Sequence, residues 1–271
     1  MAKDECKTNV FPFYHKNISS VITDSTYSPI MVGSAFFSGE SPFQRDNEGD
    51  NISDKNKFYC ELTGIYWIWK NCACDIIGTS HYRRYFTAQK EPLTYRIKRF
   101  FYFFIGQHRK RHGLIYTNNL SLFTPRIINK DEIETLLSKY EAILPQARIL
   151  RKTIRKHYQS HHKGYGLDIL EEIIKEKYAD YLNAYNEVMD SNRLYANNMF
   201  VLKNAHFQEF MEWWFDILFL FEERAQKKKS EYPPRIIGFI AERLLNVWFH
   251  QKRLNYIELP VVYFKQTKIT T

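Results

Sequence analysis

Apolar residues come first in short extended runs and later at helical spacing. Asn9 to Tyr14 reads as a strand that ends at His15-Lys16-Asn17, and Pro29-Ile30-Met31-Val32-Gly33 as a second short extended segment closed by glycine. Ser38 to Ser53 is rich in Gly, Asn, Asp and Ser and reads as loop. From about Lys57 to Lys70, Phe58, Leu62, Ile65 and Trp69 recur every three or four residues, which predicts one helix with a buried stripe. Asp75-Ile76-Ile77-Gly78 reads as a buried strand that delivers His81-Tyr82-Arg83-Arg84 at its carboxyl end, the side on which open α/β sheets bind ligands.

The second half continues the alternation. Asp131 to Tyr140 reads as a helix, Glu141 to Pro145 as a short strand, and Leu170 to Val188 as a helix. Tyr195 to Leu202 reads as a strand that carries Asn197-Asn198 ahead of Met199-Phe200. Asn204 is placed to cap a long helix whose inward face holds Phe207, Phe210, Met211, Trp214, Leu218 and Phe221. Arg235 to His250 reads as another helix and Tyr256 to Phe264 as a last strand. Strands alternating with helices predict an α/β fold. The 271 residues, 44% of them hydrophobic, contain no internal repeat or clear linker and fit a single domain, 1–271.

Charge narrows the partners. The formal net charge of +9 points to an anion: nucleic acid, a phosphorylated substrate or acidic lipid. Pro92 to Lys130 contains no acid, and within it Arg96 to Ile105 interleaves bases with aromatics before His108-Arg109-Lys110-Arg111-His112. The aromatic block is too short to span a bilayer. It suits an interfacial insertion, 92–130, pressed on anionic lipid, although a surface hairpin or helix with a solvated face would have the same composition. The four cysteines, Cys6, Cys60, Cys72 and Cys74, have no zinc-site spacing and read as reduced thiols. With no signal-peptide core and no apolar run of spanning length, a cytoplasmic protein is expected.

Three polar segments stand out: Asp46 through Ser53, Tyr59 through Trp67, and His81 through Phe86. Acids and amides bind hydroxyls, rings stack on sugar faces, and arginine forks grip phosphate oxygens, so together they suit a sugar joined to a phosphate. A self-capping turn would equally account for Asp50 and Asn51. Arg235, Phe239, Glu242 and Asn246 share one helix face by their spacing, as in a helix that lines a cleft. The second basic run, Arg148 to Lys163, holds His157, His161 and His162 without an accompanying carboxylate or cysteine, and reads as a phosphate-facing or mobile loop and not a metal site. Serine elbow, Walker loop, dinucleotide fingerprint and zinc-protease motifs are absent, as is a metal-holding Asp-x-Asp.

These segments resemble a bacterial glycosyltransferase family first catalogued as domain of unknown function 4422, whose members are associated with capsule, exopolysaccharide and O-antigen synthesis. The matching pieces include His15-Lys16, Pro29 to Gly33, Asp46 through Ser53, Cys60 to Thr63, His81 through Phe86, Asn198 to Phe200, Trp213 through Leu218, and Arg235 through Asn246. The stretch from Arg96 to His112 lies outside that signature. The resemblance implies a GT-A-like, Rossmann-related sheet flanked by helices and transfer from a nucleotide sugar, UDP-galactofuranose or another UDP-hexose. It implies no obligatory cofactor or divalent metal, because His81, Arg83 and Arg84 stand where many enzymes of this fold carry Asp-x-Asp. Glu242 is the expected base of an inverting displacement, with Asp50 as second choice. His15, Lys16, Asp50, Asn51 and Glu61 are expected at the donor, and Asn198, Arg235 and Asn246 at the acceptor. The acceptor is expected to be a lipid-linked glycan at the inner face of the plasma membrane. A retaining pyranosyl transferase is the alternative enzyme. A nucleic-acid-binding module is the alternative of another class, disfavoured because Asp46, Glu48, Asp50 and Glu61 would repel a phosphate backbone.

Overall fold

The computed structural model describes residues 6–16, 22, 24–104, 113–162, 164–228 and 233–265. Its strands are β1 (Cys6–Tyr14), β2 (Ile30–Met31), β3 (Gln44–Arg45), β4 (Cys74–His81), β5 (Arg84–Phe86), β6 (Leu114–Thr117), β7 (Ala142–Pro145), β8 (Arg148–Ile149), β9 (Arg193–Leu194), β10 (Val201–Lys203), β11 (Tyr256–Leu259) and β12 (Val261–Phe264). The main sheet runs β11-β7-β10-β4-β1-β2-β3, with β5, β12 and β6 joined alongside. β4, β1, β2 and β3 are parallel to their neighbours in turn, whereas β10 is antiparallel to both β4 and β7. This is the mixed α/β architecture expected, with a mostly parallel centre.

The helices are α1 (Asn56–Tyr59), α2 (Leu62–Asn71), α3 (Leu93–Phe104), α4 (Leu120–Phe123), α5 (Lys130–Leu137), α6 (Ile154–His162), α7 (Leu167–Lys177), α8 (Leu182–Asp190), α9 (Asn204–Lys228) and α10 (Ile236–Lys252). The two-residue period of the strands sorts side chains into two cores. Phe11, Phe13, Ile77, Ala142, Leu144 and Leu202 face the larger core with α9 and α10. Val10, Ile143 and Val201 face a second core built with Phe123, Ile133 and Leu137. The predicted inward face of α9 is buried from Phe207 to Phe221. Its Phe210 packs against Trp214 and Trp248 at 4.5 and 4.8 Å between ring centres. Gly64 sits inside α2 because a Cβ there would lie 2.7 Å from Phe13 and from Val32. Close packing on β1 offsets the roughly 1 kcal/mol that glycine costs in a helix.

Several elements differ from the sequence reading. Of the expected 195–202 strand only the end from Val201 is strand, because Asn197 and Asn198 form a left-handed turn. The expected 57–70 helix breaks at Cys60, whose φ is +53°. The Asn56 amide spans the break, donating to the Cys60 carbonyl at 2.8 Å and to Thr63 Oγ1 at 3.1 Å. The 170–188 helix is two, α7 and α8, separated by a 3-10 turn over Ala179–Tyr181. The last strand divides at Pro260 into β11 and β12, since proline lacks the N–H a ladder needs. The 148–163 run is not a loop: Ile154–His162 is helical.

The polar block at 46–53 is a clasp. Asp46 is fully buried, and its carboxylate accepts from the N–H groups of Gly33 and Ser34, both at 2.9 Å. It also accepts from Ser53 Oγ at 2.6 Å and Thr63 Oγ1 at 2.7 Å. One anion thus ties β2, β3 and α2 together. α3 docks on the second core through Tyr95, which bonds Thr117 Oγ1 at 2.9 Å and meets Phe123 edge-on. The basic cluster at 108–112 lies outside the described residues. No helix among the described residues is long and apolar enough to cross a membrane.

Candidate active site

A cavity of about 1010 Å³ opens at the carboxyl ends of β1 and β4. The register pairs Phe13 with His81, which sets His15 beside the Tyr82-Arg83-Arg84 turn. The Cys60 break points Lys57, Cys60 and Glu61 into the same space, and α10 presents Arg235, Phe239, Glu242 and Arg243. Arg148 enters from the two-stranded β8–β9 ladder, and His157, His161 and His162 enter from α6.

The knot that holds these parts is Asn197-Asn198. Both residues have left-handed backbone, φ +77° and +49°, a region that asparagine tolerates better than most residues. The Asn197 N–H donates to Glu242 Oε1 at 2.8 Å, and its carbonyl lies 2.6 Å from His81 Nε2. A carbonyl only accepts, so His81 carries its proton on Nε2. Asn197 Oδ1 accepts from Arg148 at 3.4 Å. The Asn198 amide donates to Glu61 Oε1 at 2.8 Å, and its carbonyl accepts from Thr79 Oγ1 at 3.0 Å.

The electrostatics are lopsided. Six cationic side chains, Lys57, Arg83, Arg84, Arg148, Arg235 and Arg243, face two carboxylates, Glu61 and Glu242. Arg243 is paired with Glu242 at 3.0 Å. Among the described residues, Arg83, Arg84, Arg148 and Arg235 make no ion pair. Arg83 instead lies over the Tyr82 ring at 4.6 Å and Arg84 over Tyr263 at 5.2 Å. Burial lowers the Arg84 pKa, yet a guanidinium stays charged in proteins. His81 is pushed down to about 3 by burial and then by Arg84, so it is neutral at pH 7. The His15 pKa is lowered by partial loss of hydration at the cavity rim and by Lys16, Arg83 and Arg235, although the residue remains solvent-exposed. Burial raises the Glu61 carboxyl, with Glu242 adding to the shift and the Asn198 hydrogen bond opposing it. Burial also pushes the Cys60 thiol up to about 11. A surplus of guanidinium groups without ion-pair partners among the described residues, beyond strand carboxyl ends, has the charge and donor geometry that phosphate oxygens require. Among the described residues, no group of three or more His, Cys, Asp or Glu is arranged to hold a metal ion.

Residues 9–253 match the family described as Domain of unknown function (DUF4422). The chain belongs to this family. No curated protein gives a significant match. The DUF4422 chain is similar to the solved apo structure of WbbM, a bifunctional glycosyltransferase, with a TM-score of 0.80 and 25% identity. The likeness covers 97% of this chain and 46% of WbbM, so the chain spans a little under half of that protein's length.

The DUF4422 cavity gathers seven of the residues expected to bind donor or acceptor or to act as base: His15, Glu61, His81, Arg83, Arg84, Arg235 and Glu242. Lys16 is exposed beside His15 but does not line the cavity. Asp50 and Asn51 are elsewhere, which corrects their expected convergence with Glu242. Asp50 Oδ1 accepts from the Tyr66 hydroxyl at 3.1 Å, and its carbonyl accepts from Asn71 at 2.8 Å. Asn51 closes a turn on its own neighbours Gly49 and Ser53. The self-capping turn describes Asn51, whereas Asp50 is tied to Tyr66 and Asn71 of α2. Asn198 and Asn246 are buried behind the wall and do not line the cavity. Asn246 clasps the Tyr195 N–H and carbonyl at 2.8 and 2.9 Å, which fixes the approach to the Asn197 turn. Sequence reasoning missed Lys57, Asn197 and Arg243 as cavity residues, and reached Arg148 and the α6 histidines only as part of a phosphate-facing or mobile loop. The signal for the last was present: 157, 161 and 162 share a helix face.

Proposed function

We propose that this DUF4422 protein is a glycosyltransferase that moves a sugar from a nucleotide-sugar donor, UDP-galactofuranose or another UDP-hexose, to a growing cell-surface polysaccharide. The reading rests on one observation: four arginines without ion-pair partners among the described residues share a cavity with the carboxylate of Glu242. The likeness to WbbM, itself named a bifunctional glycosyltransferase, supports the same class.

The chemistry follows from charge and position. The donor diphosphate lies among Arg83, Arg84, Arg235 and Lys57, where guanidinium forks and an ammonium offset the charge that builds on the leaving group. Glu242 keeps a lone pair free on each carboxylate oxygen after accepting from Asn197 and Arg243. It removes the proton of the acceptor hydroxyl as that oxygen attacks the anomeric carbon. The bond from that carbon to the diphosphate oxygen breaks, UDP leaves with the electron pair, and a single displacement inverts the centre. Protein cations take the part a divalent metal plays elsewhere, so no metal is obligatory.

The acceptor is a lipid-linked glycan, and the protein works peripherally at the inner face of the plasma membrane. Exposed apolar side chains on α3, next to Arg96, support that placement.

A panel of UDP-sugars incubated with the protein, with and without chelator, tests the reading. The expected result is hydrolysis or transfer from one UDP-hexose at a rate unchanged by chelator, with an inverted anomeric product. Retention of configuration would establish the pyranosyl alternative. Salt-sensitive binding of oligonucleotides without stabilisation by UDP would replace the enzyme with a nucleic-acid-binding module.

A further inference from the structure

The cavity has two chemically different halves. On one side, His15 and His81 sit in the field of Arg83, Arg84 and Arg235. On the other, α6 and α10 form a wall of rings. His162 packs on Phe239 at 4.1 Å between centres and an angle of 36°. His157 and His161 stack at 4.2 Å, one helical turn apart. Arg243, beneath them, lies 5.0 Å over the Tyr158 ring and is already paired with Glu242.

Glu242 belongs to both halves. It is within electrostatic reach of Arg84, Glu61 and Cys60 on the first side and of His157 and His162 on the second. Phe239 stands three residues before it on the same face of α10. A ligand resting on the Phe239–His162 pair would therefore be held next to the carboxylate.

From this geometry we infer that the α6–α10 wall, centred on Phe239, His162 and His157, is a sugar-binding subsite that takes the terminal residue of the acceptor glycan. The inference rests on the glycosyltransferase reading for the word acceptor; the sugar chemistry stands on the wall itself. A sugar ring offers an apolar C–H face and a rim of hydroxyls. The aromatic pair matches the face, and imidazole nitrogens with both donor and acceptor capacity match the rim. His157 Nδ1 is buried and has no hydrogen-bond partner among the described residues. Burial and neighbouring Arg243 hold His157 and His162 below the ordinary histidine range, with His161 also acting on both. Their neutrality at pH 7 favours a hydroxylated ligand over a second phosphate.

Imidazole NMR of the histidine-labelled protein separates the halves, with UDP as one probe and octyl β-D-galactopyranoside as the other. UDP is expected to shift His15 and His81, and the glycoside to shift His157, His161 and His162. Phe239→Leu should weaken the glycoside about tenfold and keep the UDP response. Phe239→Tyr retains the ring and should bind the glycoside within about twofold, which guards against reading a folding defect as lost binding. A glycoside that shifts His15 and His81 alone, or none of the α6 signals, overturns the subsite. A glycoside response on α6 with no UDP response anywhere instead overturns the donor reading and keeps the sugar site.

Discussion

The backbone N–H of Asn197 donates to Glu242 Oε1 at 2.8 Å, from a residue held at φ +77°. The carbonyl of the same residue meets His81 at 2.6 Å, so a single left-handed turn fixes the α10 carboxylate relative to the end of β4. Glu242→Gln keeps the shape and an oxygen for that N–H but removes the proposed base. Transfer should fall by about 10²–10⁴-fold, the usual worth of a general base, while UDP affinity stays within about twofold. A loss below about tenfold in kcat would move the role to Glu61, the other carboxyl in the cavity.

His81 makes stability depend on pH in a defined direction. Its folded pKa of about 3 lies below the ordinary 6.5, so between these values the unfolded chain binds more protons. Stability is therefore complete above about pH 6.5 and declines as pH falls, by up to about 1.4 kcal/mol per pH unit for one proton. His157, lowered to about 4, acts in the same direction. Urea midpoints of wild type and His81→Gln at pH 7 and pH 5 should show a smaller drop in the variant. Equal drops would assign the acid sensitivity to other groups.

The fold was legible where period and burial agree. Val10 and Phe11 alternate into opposite cores, and Phe207 to Phe221 recurs at helical spacing, so β1 and α9 could be read from the chain directly. The breaks were hidden because each depends on a distant partner. Cys60 adopts positive φ in a stretch stitched by Asn56, and nothing in Tyr-Cys-Glu announces it. The site was legible by residue type at Arg83, Arg84 and Glu242, which follow a strand or share a helix face. The same logic failed at Asp50 and Asn51, because a turn and a sugar pocket use the same polar side chains. The density of polar residues at 46–53 reflects the buried Asp46, four of whose hydrogen-bond donors come from three separate segments.

Asp46 should accordingly matter for stability. Asp46→Asn places an amide NH₂ against two of the four donors and removes the charge that strengthens the others. Unfolding free energy is expected to drop by about 2–4 kcal/mol in urea denaturation, the scale for a broken buried network. A change under about 0.5 kcal/mol, the range of an ordinary surface substitution, would mean that the clasp is dispensable.

Leu93, Ile97, Phe100 and Phe101 on α3 are 67%, 49%, 60% and 64% exposed and lie on one side of the helix, whereas Tyr95 anchors the other. An apolar stripe bordered by exposed Arg96 suits an anionic bilayer surface, where rings enter the interface and charge attracts headgroups. In sedimentation with vesicles containing anionic lipid, the wild type should pellet more than with neutral vesicles. The Phe100→Ser, Phe101→Ser double variant should lose at least about tenfold in partitioning, given roughly 1.5–3 kcal/mol for a fully buried phenylalanine. Its Tm should match wild type, because both rings are mostly exposed. Unchanged partitioning, or equal binding to both vesicle types, would leave α3 an exposed helix with no lipid role and remove the support for the proposed lipid-linked acceptor.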